Sequence, residues 1–426
     1  MIREQRRYRA GLAIIGSGLA GFAASIFALR RGISCAQVGN TGAVAYTTGY
    51  LDLLGFLQDR RLDNPWSGLD LLRESEPGHP LSLIPPAHIR QAFDQFTETL
   101  TEMGIGYTRA GEQNLLALTP AGTIKPTLSV PATMLPGIEA RNRQARTLVV
   151  DFAGLQGFSA KEFVANFGAQ WPQLSAVTLG FPDMENGAQV FPEVMARALE
   201  VPLQRERFAE RLRSCLGSAD MVGLPAIMGI HHPDRVHAEL ERLVGVPLFE
   251  IPTMPPAVPG IRLREMFEQV FPARGLVLVP QQKVRQLQLG PAGARLGLND
   301  SYGDVVIESD TTILATGRFL SGGLVADRSA VRESLLDIPV VQPNSRADWY
   351  RADYFDHRGH PINRSGLAVD ACFRPLGADG RPVNERLFAA GILLAHQDWA
   401  RQRCGAGVAI ASAYMAVAAA AEILKR

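Results

Sequence analysis

Leu12-Ala13-Ile14-Ile15, then Gly16-Ser17-Gly18-Leu19-Ala20-Gly21, then Phe22-Ala23-Ala24-Ser25-Ile26-Phe27-Ala28-Leu29, is the stretch whose reading decides the fold. An apolar strand runs into a Gly-x-Gly-x-x-Gly turn and from there into a helix, the first βα unit of a dinucleotide fold. Gly16 allows the tight turn, Gly18 lets a phosphate approach the backbone, and Gly21 lets the helix pack close to its strand. The free N–H groups at the helix N-terminus, with Ser17 beside them, then face that phosphate.

Arg3, Arg6, Arg7 and Arg9 precede a charge-free run from Ala10 to Leu29, a pattern shared with signal peptides and membrane anchors. Four glycines in that run and its direct continuation into Arg30-Arg31-Gly32 argue for the nucleotide turn instead. The chain has 426 residues, enough for more than one domain, and 46% hydrophobic with 20% charged residues is a globular balance. A net charge of +1 gives no electrostatic case for nucleic acid. Cys35, Cys215, Cys372 and Cys404 are far apart, which argues against a metal or iron–sulfur site built by this chain alone and suits a reducing, cytoplasmic setting.

A second strand is expected over Ile33–Val38, followed by an acid for the ribose of an adenosine half. Gly39 and Asn40 stand there instead, and no Asp or Glu appears before Asp52. That weakens NAD and ordinary FAD binding but leaves phosphate binding intact, as a mononucleotide such as FMN requires. Gly275–Pro280, Val284–Leu289, Ala294–Leu298 and Val305–Gly317 read as a small β-meander ending in an Ala315-Thr316-Gly317 turn. Such a turn covers the cofactor in two-dinucleotide-type flavoproteins; an incidental Thr-Gly is the competing reading. Arg386–Gly391 reads as a last strand, and Arg403-Cys404-Gly405-Ala406-Gly407 opens an Ala-rich helix reaching Leu424. Ile392 follows Gly391, so the carboxylate expected for the ribityl hydroxyls is missing. The uncharged run Gly405–Ala421 is at the short edge of a membrane span, and its glycines and alanines favour a buried helix.

Spread along the chain are Gly49-Tyr50-Leu51-Asp52-Leu53-Leu54, His79-Pro80-Leu81-Ser82-Leu83, the Pro-rich stretch from Pro252 to Leu263, and Phe319 to Ala326 with its Ser321-Gly322-Gly323. On these and on Gly16–Gly21 the chain resembles the B subunit family of bacterial anaerobic glycerol-3-phosphate dehydrogenases. The resemblance implies FMN on this chain, with FAD as the alternative. It also implies two partners of the same dehydrogenase: an FAD-containing A subunit that oxidises sn-glycerol 3-phosphate, and an iron–sulfur C subunit that holds the assembly at the inner membrane. Electrons would pass to quinone and support fumarate or nitrate respiration. The chain itself would be cytoplasmic, peripheral on the membrane through its partners, with no transmembrane segment of its own.

The expected fold is α/β, a Rossmann-like two-dinucleotide-type flavoprotein with an inserted α/β cap region. Residues 1–60, 270–330 and 365–426 would form the flavin-binding domain, 61–269 the insertion and 331–364 a connecting segment. Within the insertion, helices are expected near Ala87–Gly104, Ala160–Phe167 and Asp234–Val244, and strands over Thr147–Phe152 and Met221–Met228. Candidate cofactor contacts are Gly16, Ser17, Gly18, Gly21, Thr47, Thr48, Gly49, Thr316, Gly317, Gly391, Gly405 and Gly407. Small hydroxyl residues beside Gly49 suit the polar edge of a flavin ring, with an ordinary polar turn as the competing reading. Arg262 is a candidate anion ligand or a structural arginine. His79, His231 and His232 are candidate proton carriers or structural histidines, and Met228 and Met266 read as core. No metal site is expected, no catalytic residue is assigned, and no nucleophile-and-base, Gly-Lys-Ser or His-Glu-x-x-His motif is present. Three functions stay open: an electron-carrying flavin subunit, a docking subunit that keeps the fold without a working cofactor, and a stand-alone flavin dehydrogenase.

Overall fold

The main elements of the computed structural model are, in chain order, β1 (Arg6–Ile15), α1 (Leu19–Arg30), β2 (Cys35–Gly39), α2 (Pro86–Glu102), β3 (Thr147–Phe152), α3 (Ala160–Phe167), β4 (Leu174–Leu179), α4 (Pro202–Cys215), β5 (Met221–Pro225), α5 (Pro233–Val244), β6 (Leu248–Ile251), α6 (Val258–Ala273), β7 (Val277–Pro280), β8 (Gln286–Gly290), β9 (Gly293–Asp300), β10 (Gly303–Leu314), β11 (Leu387–Ala389) and α7 (Gly405–Leu424). Residues 5–40, 43–184, 189–300 and 302–425 are described, so Arg3 lies outside the described residues. The chain divides into two units, the first being Met1–Ala43, Asp52–Phe96 and Phe267–Arg426, the second Val44–Leu51 and Thr97–Met266.

In the first unit the seven-stranded sheet has the order β7-β2-β1-β10-β9-β8, with β11 beside the end of β10. β1 pairs in parallel with β10 from Arg6↔Val305 to Ile15↔Leu314, joining segments about 300 residues apart. Its apolar half, Leu12–Ile15, is wholly buried, as a central parallel strand must be. The charged half reaches outward, where Arg9 pairs with Asp310 at 3.0 Å. On its other side β10 serves two further partners: its first part pairs antiparallel with β9, and Thr312–Leu314 pair in parallel with β11.

α1 is apolar on nearly every face, so it is a core helix. Phe22 stacks on Phe267 with ring centroids 4.4 Å apart, and Phe27 meets Tyr414 of α7 edge-on at 5.2 Å. α7 is long and apolar enough to cross a membrane, but two-thirds of it is buried in this unit.

The second unit holds a four-stranded parallel sheet, β6-β5-β3-β4. The period-two alternation of its strands sorts side chains onto two faces. Leu148, Val150 and Phe152 join Phe208 and Leu212 of α4 and Val236 and Leu240 of α5. Val149, Phe249 and Ile251 face Phe163, Phe167 and Trp171. Glu250 and Arg262, 1% and 2% exposed, close this unit with two 2.7 Å hydrogen bonds. Glu250 also accepts the Met228 N–H and the Thr133 hydroxyl, and Arg262 Nε donates to the Gly229 carbonyl. Burial pushes the Glu250 carboxyl up, but Arg262 and these donors hold it below its ordinary range.

Three expectations need correcting. Residues 61–96 and 331–364 belong to the first unit, not to an insertion or a connector. Their contacts explain it: Phe96 packs on Phe267, Glu76 pairs with Arg364 at 2.8 Å, and Trp349 is buried. The meander is three strands, β8, β9 and β10; Val277–Pro280 instead pairs in parallel with β2 at the opposite edge. Helix and strand ends move slightly, with α2 ending at Glu102 and β5 at Pro225.

Replacing Glu250 by Ala leaves a buried guanidinium without its counter-charge, a loss of about 3–5 kcal/mol. Urea unfolding followed by hydrogen exchange in β5 and β6 is expected to show that loss in the second unit.

Candidate functional site

In the first unit the chain leaves β1 toward β2 on one side while β10 lies on the other, so the strand order reverses at β1. Open α/β sheets bind ligands beyond the strand C-termini at such a point. Here the glycines of the first turn divide by role. Gly16 has φ +135°, and a Cβ there would sit 2.0 Å from the Ala315 carbonyl oxygen. A Cβ on Gly21 would sit 2.1 Å from the Gly16 carbonyl oxygen. These two let backbones touch. A Cβ on Gly18 would have no atom within 4 Å among the described residues, so its surroundings there are open.

The start of α1 has no side-chain cap and no acid in its first turn. Its first N–H groups are ones that no helix can satisfy internally, and they follow Gly18 directly in the chain. Gln37, fully buried in β2, holds this turn: its Nε2 donates to the Gly16 carbonyl and its Oε1 accepts from Ser25 Oγ, both at 2.8 Å. Gln37 was not expected as a site residue; a glutamine within a buried apolar strand was the available signal. Ser17 Oγ donates to the Asn40 carbonyl, and Ser17 lies so close to Gly39 that a Cβ there would be 2.3 Å from its oxygen. The end of β2 thus presents a serine and a carbonyl where an adenosine-binding site presents a carboxylate.

The ends of β10 and β11 reach the same edge. Ala315 N–H donates to the Ile15 carbonyl and Ala390 N–H to the Leu314 carbonyl. Thr316 Oγ1 is buried without a hydrogen-bond partner, and Gly317 follows it at φ +69°. Gly391, at φ +79°, donates its N–H to Ser412 Oγ at 2.8 Å and packs against Ala20. An open cradle at Gly18 and an unpartnered hydroxyl at Thr316 fit a ligand carrying a phosphate and hydrogen-bonding groups. Gly405 and Gly407 are engaged elsewhere: their N–H groups go to Asp52, at its Oδ2 (3.2 Å) and its carbonyl (2.7 Å). A Cβ on Gly407 would also meet the Leu53 backbone at 2.8 Å.

Thr47, Thr48 and Gly49 belong to the second unit. Gly49, at φ +84°, accepts the Tyr107 hydroxyl at its carbonyl (2.8 Å) and takes Thr47 Oγ1 on its N–H (3.2 Å). Arg262 is spent on Glu250, so of its two readings the structural arginine is the one that the contacts support. The His231 and His232 backbones donate to Glu200 Oε1, and the His231 ring stands 3.5 Å from Glu265. His79 is fully buried in the first unit; its Nδ1 accepts the Leu81 N–H at 3.1 Å and its Nε2 is 4.0 Å from Cys404 Sγ. Burial pulls its pKa down to about 4, against a partial opposing pull from Glu76. That is a neutral structural imidazole. Met228 and Met266 are buried as expected. Among the described residues no group of three or more His, Cys, Asp or Glu could hold a metal ion.

Residues 11–408 match the FAD binding domain family, and the chain belongs to it. It is a flavoprotein of Rossmann-like α/β fold, with a flavoprotein dehydrogenase role. A protein of Yersinia pseudotuberculosis serotype I (strain IP32953), named as the B subunit of anaerobic glycerol-3-phosphate dehydrogenase, is 31% identical over 410 residues, 94% of this chain and 95% of that protein. One from Halobacterium salinarum (strain ATCC 29341 / DSM 671 / R1), named as the probable B subunit of that dehydrogenase, is 30% identical over 427 residues, 96% of this chain and 97% of its own. The chain belongs to the family of anaerobic glycerol-3-phosphate dehydrogenase B subunits. Among solved structures, 3-ketosteroid delta1-dehydrogenase from Sterolibacterium denitrificans covers 98% of this chain and 99% of its own at 12% identity, with a TM-score of 0.44.

Gly18→Val fills open space, so the variant is expected to fold with an unchanged melting temperature and to lose retained flavin, read by absorbance of the purified protein. Gly21→Val, which must displace the Gly16 carbonyl, is expected to fail at folding itself. For His79 the unfolded chain takes up a proton near its ordinary pKa of 6.5, whereas the folded chain resists protonation down to about 4. Its contribution is therefore complete above that ordinary value and lost as pH falls, with a slope approaching about 1.4 kcal/mol per pH unit. His79→Asn is expected to remove this part of the acid slope in urea melts; equal slopes would show that His79 titrates normally.

Proposed function

We propose that this chain is the flavin-binding, electron-carrying subunit of a multi-subunit respiratory dehydrogenase. In this reading the assembly oxidises sn-glycerol 3-phosphate to dihydroxyacetone phosphate and passes electrons to membrane quinone, with fumarate or nitrate as terminal acceptor. The observation that carries it is the open phosphate cradle at Gly18, in a chain similar along nearly its whole length to relatives named as the B subunit. The partners are an FAD-containing A subunit and an iron–sulfur C subunit, and the chain sits on the cytoplasmic side of the inner membrane through them.

FMN is the cofactor assigned here, with FAD, named in the matched family, as the alternative. Support for FMN comes from the end of β2, where Ser17 closes on the Asn40 carbonyl and no carboxylate awaits a ribose. A bound flavin supplies hydride acceptance and stepwise electron release. The chain's own part is to hold it. The first N–H groups of α1 bind the phosphate at Gly18, Gly16 and Gly21 keep that loop tight, and Thr316, Gly317 and Gly391 border the strand ends beside it.

One observation favours the second reading, a docking subunit without a working cofactor. Asp52 takes the Gly405 and Gly407 N–H groups at the start of α7, leaving fewer donors for a ligand there. A single preparation separates the two readings. Denaturation of the purified chain is expected to release FMN near one per chain, identified by chromatography, and the chain alone is expected not to reduce a dye with glycerol 3-phosphate. FAD in its place would overturn the cofactor assignment alone. No flavin, even after reconstitution with the partner subunits, would favour the docking role, and turnover without partners would place the whole reaction on this chain.

A further inference from the structure

Three arginines are buried among the described residues, and two have a carboxylate. Arg262 pairs with Glu250 at 2.7 Å and Arg205 with Glu239 at 2.6 Å. Arg318, 7% exposed, has none within ion-pair distance among the described residues. Its Nη1 and Nη2 donate to the carbonyls of Asn363 and Ile362, and its Nε, also buried, donates to nothing. The charge that favours it is Asp398, which is engaged with Asn363 Nδ2 and with the N–H of Arg401 and stands 3.8 Å from Arg401 Nε. Two neutral carbonyls do not balance a buried guanidinium, and a buried charge without a counter-charge is costly.

Its place in the fold says what kind of partner is missing. Arg318 follows Ala315-Thr316-Gly317, the turn at the C-terminal end of β10, whose first residue lies against Gly16. Thr316 Oγ1, in the same turn, is the second buried polar atom there without a partner. The turn is tight: a Cβ on Gly323 would stand 2.3 Å from the Gly317 carbonyl oxygen, and the Gly322 and Gly323 N–H groups both return to the Arg318 carbonyl. The tight turn thus carries a guanidinium whose Nε has no acceptor and a hydroxyl without a partner, at the C-terminal end of the sheet where ligands bind. A guanidinium N–H matches a tetrahedral oxyanion in geometry and charge.

We propose that Arg318 holds the phosphate of a small molecule bound at the C-terminal end of β10. This rests on the flavoprotein reading, and the phosphate is that of the flavin itself or of a phosphorylated substrate. The test uses the full chain with Arg318→Gln, and with Arg318→Lys, which keeps the charge and loses the fork. Affinities for FMN, FAD and riboflavin are read by fluorescence titration, and melting temperatures are taken empty and with glycerol 3-phosphate or glycerol.

If the flavin phosphate is the ligand, Arg318→Gln is expected to weaken FMN about 10- to 100-fold while riboflavin, which lacks the phosphate, binds as before. If the substrate phosphate is the ligand, flavin affinity stays and the thermal shift given by glycerol 3-phosphate, and not by glycerol, disappears. Unchanged FMN affinity with an unchanged glycerol 3-phosphate shift overturns the proposal. So does a lower melting temperature of the empty protein with both FMN affinity and the glycerol 3-phosphate shift kept, which is the mark of a bolt for Ile362 and Asn363. Where Arg318→Gln fails to fold, Arg318→Lys decides by the same readings, with a smaller loss expected. A wild-type chain that binds no flavin strikes the flavoprotein reading instead, and the inorganic phosphate shift of wild type against Arg318→Lys then decides for Arg318 alone.

Discussion

The first unit depends on the contact between Gly16 and Ala315. Two strands about 300 residues apart in sequence end side by side, and their backbones meet where a Cβ would be 2.0 Å from a carbonyl oxygen. No side chain but hydrogen fits there. Because the approach is so close, the first turn, the Ala-Thr-Gly turn and the start of α1 share one edge of the sheet. Gln37 adds the polar lock, tying the Gly16 carbonyl to Ser25.

The glycines show how one motif mixes structure with function. Gly16 and Gly21 are required by packing: a side chain at Gly16 would part the end of β1 from Ala315, and one at Gly21 would part α1 from the first turn. Gly18 meets no atom within 4 Å among the described residues, so packing inside the protein does not account for it. Gly407 carries the opposite lesson. In sequence it looks like a cofactor turn, yet the Leu53 backbone and Asp52 account for it.

The same reasoning applies to charge. Arg262 and Arg318 both follow a glycine closely in sequence, and both are buried. One is satisfied by a carboxylate twelve residues away in a neighbouring strand; the other faces two carbonyls. Desolvating a guanidinium costs several kcal/mol whichever way it is used, so the partner, and not the burial, is what distinguishes these two arginines.

The strand–turn–helix at Leu12–Leu29, the missing acid at Gly39 and Asn40, and the character of α7 were legible in the sequence alone, because local periodicity and glycine spacing express backbone geometry directly. So was the flavoprotein class, since its signals lie in short contiguous stretches. Tertiary structure alone decided which unit residues 61–96 join, that Val277–Pro280 sits at the far edge beside β2, and that Arg262 is spent on Glu250. Each of these turns on a partner distant in the chain, chosen by competition among surfaces that one stretch of residues does not record. For the same reason Gln37 and Arg318 emerged only in three dimensions: a buried polar group is defined by what surrounds it.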